Sequence, residues 1–357
     1  MTDDYKPIGT VVAVQANYYG VRLDPQPESH LLLCTRRTRL KKIGQKVMVG
    51  DRVVVEEIDL EQAQGVISEV LPRNTVLERP PVANGDQILL VFAIEEPSLE
   101  AWQLSRFLVK AESTGLEMCL CLNKTDLVTP ILRQQWQETL EKWGYEPVWV
   151  SVSGADGIGE LLSRLRDKIT IMAGLSGVGK SSLLNYLLGS AKQRTGEVSG
   201  KLQKGRHTTR HVELFQLPGG GLLADTPGFN QPDLDCEPSQ LAYCFPEARK
   251  MLESRSCQFN DCLHRDEPNC VVRGDWERYE HYLEFLDEVI ALQETLQDSK
   301  DQQSTLKLKS RSSGQSGYEP KLESKKYRRY SRREKHQSQE KYENLSLRDI
   351  SEETEEY

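Results

Sequence analysis

Gly174-Leu-Ser-Gly-Val-Gly-Lys180-Ser181 fits G-x-x-x-x-G-K-[ST], a spacing that closes backbone N–H groups around a β-phosphate. Gly174, Gly177 and Gly179 permit the tight turn. Lys180 is placed to span β and γ oxygens, Ser181 to ligate Mg²⁺, and Ser182 completes the phosphate-contacting set, while the dipole of the following helix adds positive potential. Asp225-Thr-Pro-Gly228, 45 residues beyond Lys180, matches D-x-x-G, where the carboxylate holds Mg²⁺ through water and the glycine N–H senses a γ-phosphate. Asn123-Lys-Thr-Asp126 decides the base: a carboxylate at Asp126 accepts from the ring N–H and exocyclic amine of guanine, and adenine has no such donor pair on that edge. Asn123 and Lys124 are expected to tie this loop to the P-loop and cover the base. Ser151-Val-Ser153 reads as its companion, with the Val152 amide meeting the guanine oxygen. The set argues for GTP rather than ATP.

Cys257-x₄-Cys262-x-His264-x₅-Cys270 offers three thiolates and one imidazole within 14 residues, the donor set of a closed, tetrahedral structural zinc site. A redox role lacks C-x-x-C, and a catalytic zinc would keep a position open. Cys236 and Cys244 fall outside this spacing and are expected to pack. Eight cysteines in 357 residues are too few for a disulfide scaffold, which points to metal in a reducing compartment.

These residues need elements to hold them. Residues 1–74 carry short aliphatic runs, GTVVAV, YYGVRL, HLLLC, VVVEEI and GVISEV, cut by turn signals, which suggests a small barrel or sandwich. Charge here is balanced, but six basic residues, Arg36, Arg37, Arg39, Lys41, Lys42 and Lys46, fall together without an acid among them. If the flanking strands pair as a hairpin, this segment is a cationic loop able to track a phosphate backbone; an ordinary solvated loop is the equal alternative. After a linker marked by Pro80, Pro81, Asn84 and Gly85, strands alternate with helices through residues 75–235, the pattern of a parallel α/β sheet. Expected strands are 88–94, 118–122, 147–151, 169–173, 211–217 and 221–225, and expected helices are 98–113, 130–143, 158–168 and 180–188. Cys119 and Cys121 share one strand face and read as buried. Residues 236–299 hold the Cys/His cluster and an amphipathic helix from about Trp276 to Leu296.

The order of the loops is unusual. In a Ras-like GTPase the P-loop comes first and NKxD near the end; here NKTD and SVS precede the P-loop and DTPG. A circularly permuted chain builds the same sheet, because sheet contacts do not depend on where the termini are cut. The segment after DTPG then runs straight into the Cys/His module, so nucleotide state could reposition it.

Permuted loop order, a small β domain in front, Gly205-Arg-His207-Thr-Thr209-Arg and a Cys/His cluster behind together resemble the ribosome small-subunit-dependent GTPase A family over roughly residues 8–296. The resemblance implies an OB-fold N-terminal domain, a permuted P-loop GTPase domain, a zinc domain with helices, and a late role in assembling the small (30S) ribosomal subunit on its 16S rRNA. Thr209, rather than Thr208, is the expected switch I ligand of Mg²⁺, with Ser181 and Asp225. The position after D-x-x-G that in Ras-like enzymes holds a water-orienting glutamine is Phe229, which cannot position water. His207 is the nearest substitute, by its pKa and by the resemblance; packing or RNA contact is the other reading.

Lys+Arg 46 against Asp+Glu 54 gives a formal net charge of −8, so RNA contact must come from local patches. No apolar run approaches a membrane span, and the start lacks a signal-peptide pattern, so a soluble, cytoplasmic protein with no membrane partner is expected, as a monomer. The tail, 300–357, has little apolar content and sorted charge, eight basic and two acidic residues over Lys321 to Lys335 against six acidic and one basic over Glu343 to Tyr357. Such composition predicts disorder. The function expected is hydrolysis of GTP to GDP and phosphate as a ribosome-stimulated timing switch; a GTP-gated RNA-binding regulator with another target is the alternative.

Overall fold

The computed structural model describes residues 6–24, 31–192, 212–225, 232–274, 276–303, 306–310 and 316–320. His207, Thr209, Gly228, Phe229 and the tail's basic block and acidic end lie outside the described residues. No helix among the described residues is long and apolar enough to cross a membrane.

Five strands open the chain: β1 (Ile8–Gln15), β2 (Tyr18–Leu23), β3 (Leu31–Arg36), β4 (Arg52–Asp59) and β5 (Gln64–Val70). They close in the order β1-β2-β3-β5-β4-β1, with β3 and β5 parallel and the other pairs antiparallel. Closure removes every free edge. Alternating side chains fill the interior, among them Val11, Val21, Leu32, Cys34, Val53, Val55 and Ile67. The cationic segment is therefore not a hairpin loop. Because β5 lies between β3 and β4, the chain must cross the barrel end, and it does so through a short helix, α1 (Thr38–Lys42), pinned by the buried Leu40. Arg73 pairs through Nε and Nη2 with Asp51, which is fully buried, and also donates to the Lys46 carbonyl at 2.6 Å. This locks the far end of the crossing.

The expected linker is a β-hairpin, β6 (Val76–Glu78) with β7 (Pro81–Ala83). Val82 is buried beside Val12, Val49, Ile171, Leu214 and Ala224, so the stretch packs between barrel and sheet instead of spanning solvent.

The sheet that follows contains β8 (Gln87–Ala93), β9 (Glu117–Asn123), β10 (Val148–Trp149), β11 (Ile169–Ala173), β12 (Glu213–Gln216) and β13 (Leu222–Asp225). Their order is β10-β9-β8-β11-β13-β12, parallel except for β12, which also meets β1 at Ala13↔Glu213. Every residue of β8 is buried, as a central parallel strand requires. Helices α2 (Ala101–Glu112), α3 (Pro130–Trp143), α4 (Ile158–Leu165) and α5 (Lys180–Lys192) cover the sheet faces. Phe107 of α2 meets Phe92 edge-on at 5.2 Å between ring centroids. Cys119 and Cys121 are buried together on one side, as their spacing predicts.

Beyond Asp235, a 3₁₀ turn (Pro238–Cys244), α6 (Pro246–Ser254) and α7 (Tyr279–Gln303) enclose a separate core with Cys236, Cys244, Phe245, Val272, Tyr282 and Phe285. Both cysteines pack, as expected. Arg278, fully buried, pairs with Glu247 and stacks on Trp143, Tyr145 and Phe245, joining this core to the end of α3. Arginine suits this place because its planar cation satisfies a carboxylate and aromatic faces together. From residue 293 onward a second unit holds the end of α7 and a hairpin, β14 (Leu306–Ser310) with β15 (Ser316–Pro320).

Candidate nucleotide pocket and metal centre

Parallel strands put all their C-terminal ends on one edge, and in such sheets ligands bind there. Ala93 is in register with Asn123, Trp149 with Leu122, Leu90 with Ala173, and Met172 with Asp225. The loops after β8, β9, β10, β11 and β13 therefore gather Asn123–Asp126, Ser151–Ser153, Gly174–Ser182 and Asp225 at one end of the sheet, although they are far apart in sequence.

Local chemistry fixes each loop. Gly174 has φ 137°, and a Cβ there would lie 2.1 Å from the Val91 carbonyl oxygen. Gly179 has φ 95°, and a Cβ would lie 2.4 Å from Asn123 Nδ2. Only glycine lets the phosphate loop approach β8 and the NKTD loop so closely. Asn123 is buried, and its Nδ2 donates to the Val178 carbonyl at 3.0 Å. Lys124 has left-handed backbone, φ 60°, and its ammonium donates to the Glu96 carbonyl, in the loop after β8. The expected tie from Lys124 to the P-loop is thus limited to its aliphatic stem, which passes Gly179, while the charged end grips a loop that sequence reading did not single out.

Ser151 Oγ donates to Asp126 Oδ1 at 2.5 Å and accepts from the Gly154 N–H at 2.9 Å. Bonds from Ser151 and then Ser153 hold the Asp126 carboxyl below its usual range, favouring the ionised, acceptor-only form as pH falls. That is the state which can receive two N–H groups. Val152 lies between the two serines, on the same loop.

Lys180 begins α5 and reaches back over its own loop, donating to the carbonyls of Gly174 at 2.8 Å and Leu175 at 2.5 Å. Burial lowers its pKa, opposed by the Asp225 carboxylate. Ser181 and Ser182 occupy the first turn of α5. A hydroxyl at Ser181 and a carboxylate at Asp225, with Lys180 between them in charge, are the hard oxygen donors that Mg²⁺ takes.

The Cys/His residues converge. His264 Nδ1 lies 3.5 Å from Cys257 Sγ, 3.4 Å from Cys262 Sγ and 3.3 Å from Cys270 Sγ, and Cys257 and Cys270 sulfurs are 3.9 Å apart. A tetrahedron with standard Zn–S and Zn–N bonds has edges of about 3.6 Å for S···N and about 3.8 Å for S···S. All four ligand atoms lie within 4.8 Å of one another. The residues fit zinc, with Nδ1 as the imidazole ligand. Sequence reading picked out these four clustered donors but not their supports. Glu267 accepts the N–H groups of Leu263, Arg265 and Asp266, while Tyr279 and Tyr282 of α7 donate to the carbonyls of His264 and Leu263 at 2.8 and 2.7 Å. Their signal, an acid among ligands and tyrosines one turn apart, is too common to stand out.

On the barrel, Arg37, Arg39, Lys41, Lys42 and Lys46 are exposed and Arg36 half-buried. Arg36 donates to the Gln45 carbonyl at 3.0 Å, and Arg37 pairs with Glu56 at 2.6 Å. Arg39, Lys41, Lys42 and Lys46 make no ion pair among the described residues. Four cations on and after one short helix leave a positive surface.

A family model described as RsgA GTPase matches residues 70–235. Small ribosomal subunit biogenesis GTPase RsgA of Microcystis aeruginosa is 61% identical over 350 residues, covering 98% of this chain and 97% of that protein. The protein of the same description from Trichormus variabilis is 62% identical, covering 91% and 94%. Among solved structures, YjeQ from Thermotoga maritima superposes with TM-score 0.67 at 34% identity, covering 80% of this chain and 99% of that one. YloQ, a circularly permuted GTPase, does so with TM-score 0.67 at 31%, covering 81% and 97%. With identity of this degree over nearly the full length of both chains, and a fold match to a circularly permuted GTPase, the chain belongs to the RsgA family of circularly permuted GTPases.

Proposed function

We propose that this GTPase binds the small (30S) ribosomal subunit and acts late in its assembly, hydrolysing GTP to GDP and phosphate with turnover that the particle stimulates. The observation that carries the reading is the convergence of the guanine loop and the phosphate loop through Asn123 and Val178, set on one chain with a barrel that bears a cationic crossing segment and with a zinc-fitting cluster. Its relatives' description as small-subunit biogenesis GTPases supports the target. We read the chain as an RNA-binding barrel (1–74), a GTPase domain (75–235), a zinc domain (236–299) and a charged tail (300–357), working as a cytoplasmic monomer.

Catalysis on this reading is positioning and charge stabilisation. Asp126 receives the guanine N–H groups, with Ser151 fixing its carboxylate. The Val152 amide meets the guanine oxygen, and Asn123 and Lys124 hold that loop. Backbone N–H groups of Gly174–Lys180 enclose the phosphates with Ser182, and Lys180 turns from its loop carbonyls to the β and γ oxygens. Mg²⁺ bound with GTP supplies charge neutralisation at those oxygens; Ser181, Thr209 and Asp225 are its holders. His207 orients the attacking water, and the Gly228 N–H senses the γ-phosphate. The zinc is structural: it ties together a loop that α7 props but could not fold alone. Arg39, Lys41, Lys42 and Lys46 contact 16S rRNA backbone, with Arg36 and Arg37 shaping that surface. The GTP form docks, and hydrolysis on the particle releases the factor.

The deciding experiment compares GTP turnover with 30S particles, 50S particles and naked RNA. Stimulation specific to 30S particles is expected. Equal stimulation by naked RNA would replace this reading with a GTP-gated RNA-binding regulator.

A further inference from the structure

One stripe of α2 faces two different segments of chain. Trp102, Arg106 and Lys110, spaced four apart, lie on one side of the helix. Trp102 Nε1 donates to Glu284 of α7 at 2.7 Å. Lys110 pairs with Asp235, seven residues beyond Gly228. Arg106, between them, does both: Nη1 and Nη2 fork onto the Glu288 carboxylate of α7 at 2.5 Å each, and Nε donates to the Pro232 carbonyl at 3.0 Å. Its guanidinium also lies over the rings of Trp102, at 5.6 Å, and Phe285, at 5.8 Å. With its side chain 16% exposed, this group is less screened than an ordinary surface pair.

The helix carrying Arg106 is itself seated against the nucleotide loops. The turn before α2 supplies the Glu96 carbonyl held by Lys124, and Pro97 faces Gly177 of the phosphate loop, 3.8 Å from where a Cβ would stand. One base, fixed to the guanine and phosphate loops, therefore grips the chain that leaves the D-x-x-G segment and the helix that props the zinc-fitting loop.

We propose that Arg106 is the positioning residue that couples nucleotide state to α7: one guanidinium reads the Pro232–Asp235 segment through a backbone carbonyl and reports it to α7 through Glu288. This rests on the GTPase reading above and specifies its regulation. Three of the five guanidinium donors are committed in a fixed plane, so displacement of Pro232 tilts the fork that Glu288 needs. Lysine has no such plane, and an ordinary stabilising ion pair would not need the Pro232 contact.

The test uses the full zinc-loaded chain, with amide hydrogen exchange over residues 283–292 measured with GDP and with a non-hydrolysable GTP analogue. Wild-type exchange is expected to differ about fivefold or more between the two states. In Arg106→Ala and Arg106→Lys the difference should fall to within about twofold while affinities for both nucleotides stay unchanged. The charge swap Arg106→Glu with Glu288→Arg rebuilds the pair between α2 and α7 but not the bond to Pro232. It should recover thermal stability and leave the nucleotide difference lost, and it carries the test if Arg106→Ala fails to fold. A wild-type α7 indifferent to nucleotide, a difference that survives in Arg106→Lys, or one restored by the swap overturns the proposal. No ribosomal particle is present, so failure here is distinct from failure of small-subunit binding; absence of GTP binding would instead sink the GTPase reading.

Discussion

The Asn123 side-chain amide and the Val178 carbonyl, 55 residues apart in sequence, share a buried 3.0 Å hydrogen bond that makes the guanine loop and the phosphate loop one unit. Gly179 leaves the space for it. On the proposed function, this bond ties base recognition to phosphate binding.

Removing that bond should injure both ends of the nucleotide. Asn123→Ala leaves the buried Val178 carbonyl without its donor, a loss of about 1–3 kcal/mol, so affinity for GTP and GDP should fall together by about 5- to 150-fold. Titration with fluorescent analogues of each checks this; a loss confined to one of them would show that the loops act separately.

The Ser151–Asp126 bond makes a pH prediction. Ser151, then Ser153, holds the Asp126 carboxyl below its ordinary value, so the acceptor form persists as pH falls and is lost only through that lowered pKa. Ser151→Ala removes the larger stabiliser of the ionised form. The acid limb of GTP affinity should move to higher pH, with affinity at pH 7 nearly kept. An unmoved limb would assign acid sensitivity to another group. Asp126→Asn, which presents an amide in place of the acceptor, should turn preference from guanine toward xanthine nucleotides in the same titrations.

Loss of the metal should unfold a module, not the pocket. On the zinc reading, Cys262→Ser or chelation would remove the centre that draws together Cys257, Cys262, His264 and Cys270, the loop that Tyr279 and Tyr282 contact. Zinc content should fall from about one per chain to near zero. Proteolysis should open residues 255–275, and GTP affinity should stay within about threefold, because the cluster packs in the C-terminal core with Phe245, Tyr279 and Tyr282. Equal loss of nucleotide binding would tie the two sites more tightly than their geometry does.

The water-orienting assignment has its own signature. His207→Ala should leave GTP affinity nearly intact and cut particle-stimulated turnover by about 10²-fold or more, the scale of a lost general-base contribution. Single-turnover hydrolysis with saturating 30S particles measures it, and unchanged turnover would return the role to another residue.

Much of the architecture was legible because short-range chemistry wrote it. The helix expected over 130–143 is observed as Pro130–Trp143, since Thr129 accepts from the Leu132 N–H, Pro130 begins the helix, and Gly144 ends it at φ 88°. Such caps are worth about 1 kcal/mol each and mark boundaries locally. The motif loops were visible as strings, and the strand registers bring those described to one end of the sheet. What escaped was pairing at a distance. The Arg36–Lys46 crossing could not be told from a hairpin loop, since β5, the strand that separates its flanks, comes later in the chain. Lys124 finding Glu96, Arg106 dividing itself between Pro232 and Glu288, and Arg278 stacking on three rings all depend on which helix meets which. An arginine in a helix looks the same whether it faces water or carries an interface.

The position of β8 has a consequence for synthesis. As the chain emerges, β8, β9 and β10 precede the other strands of this sheet, and one full side of β8 stays bare until Ile169–Ala173 arrives to pair with it. Until then the nascent protein displays an unpaired strand edge that is apolar from Ile88 to Ala93, a template for aggregation. Nucleotide offers no rescue at that stage, because its phosphate cradle has yet to be translated. The permuted order thus leaves the half that carries the NKTD and SVS loops to survive on its own packing before any ligand can reward it.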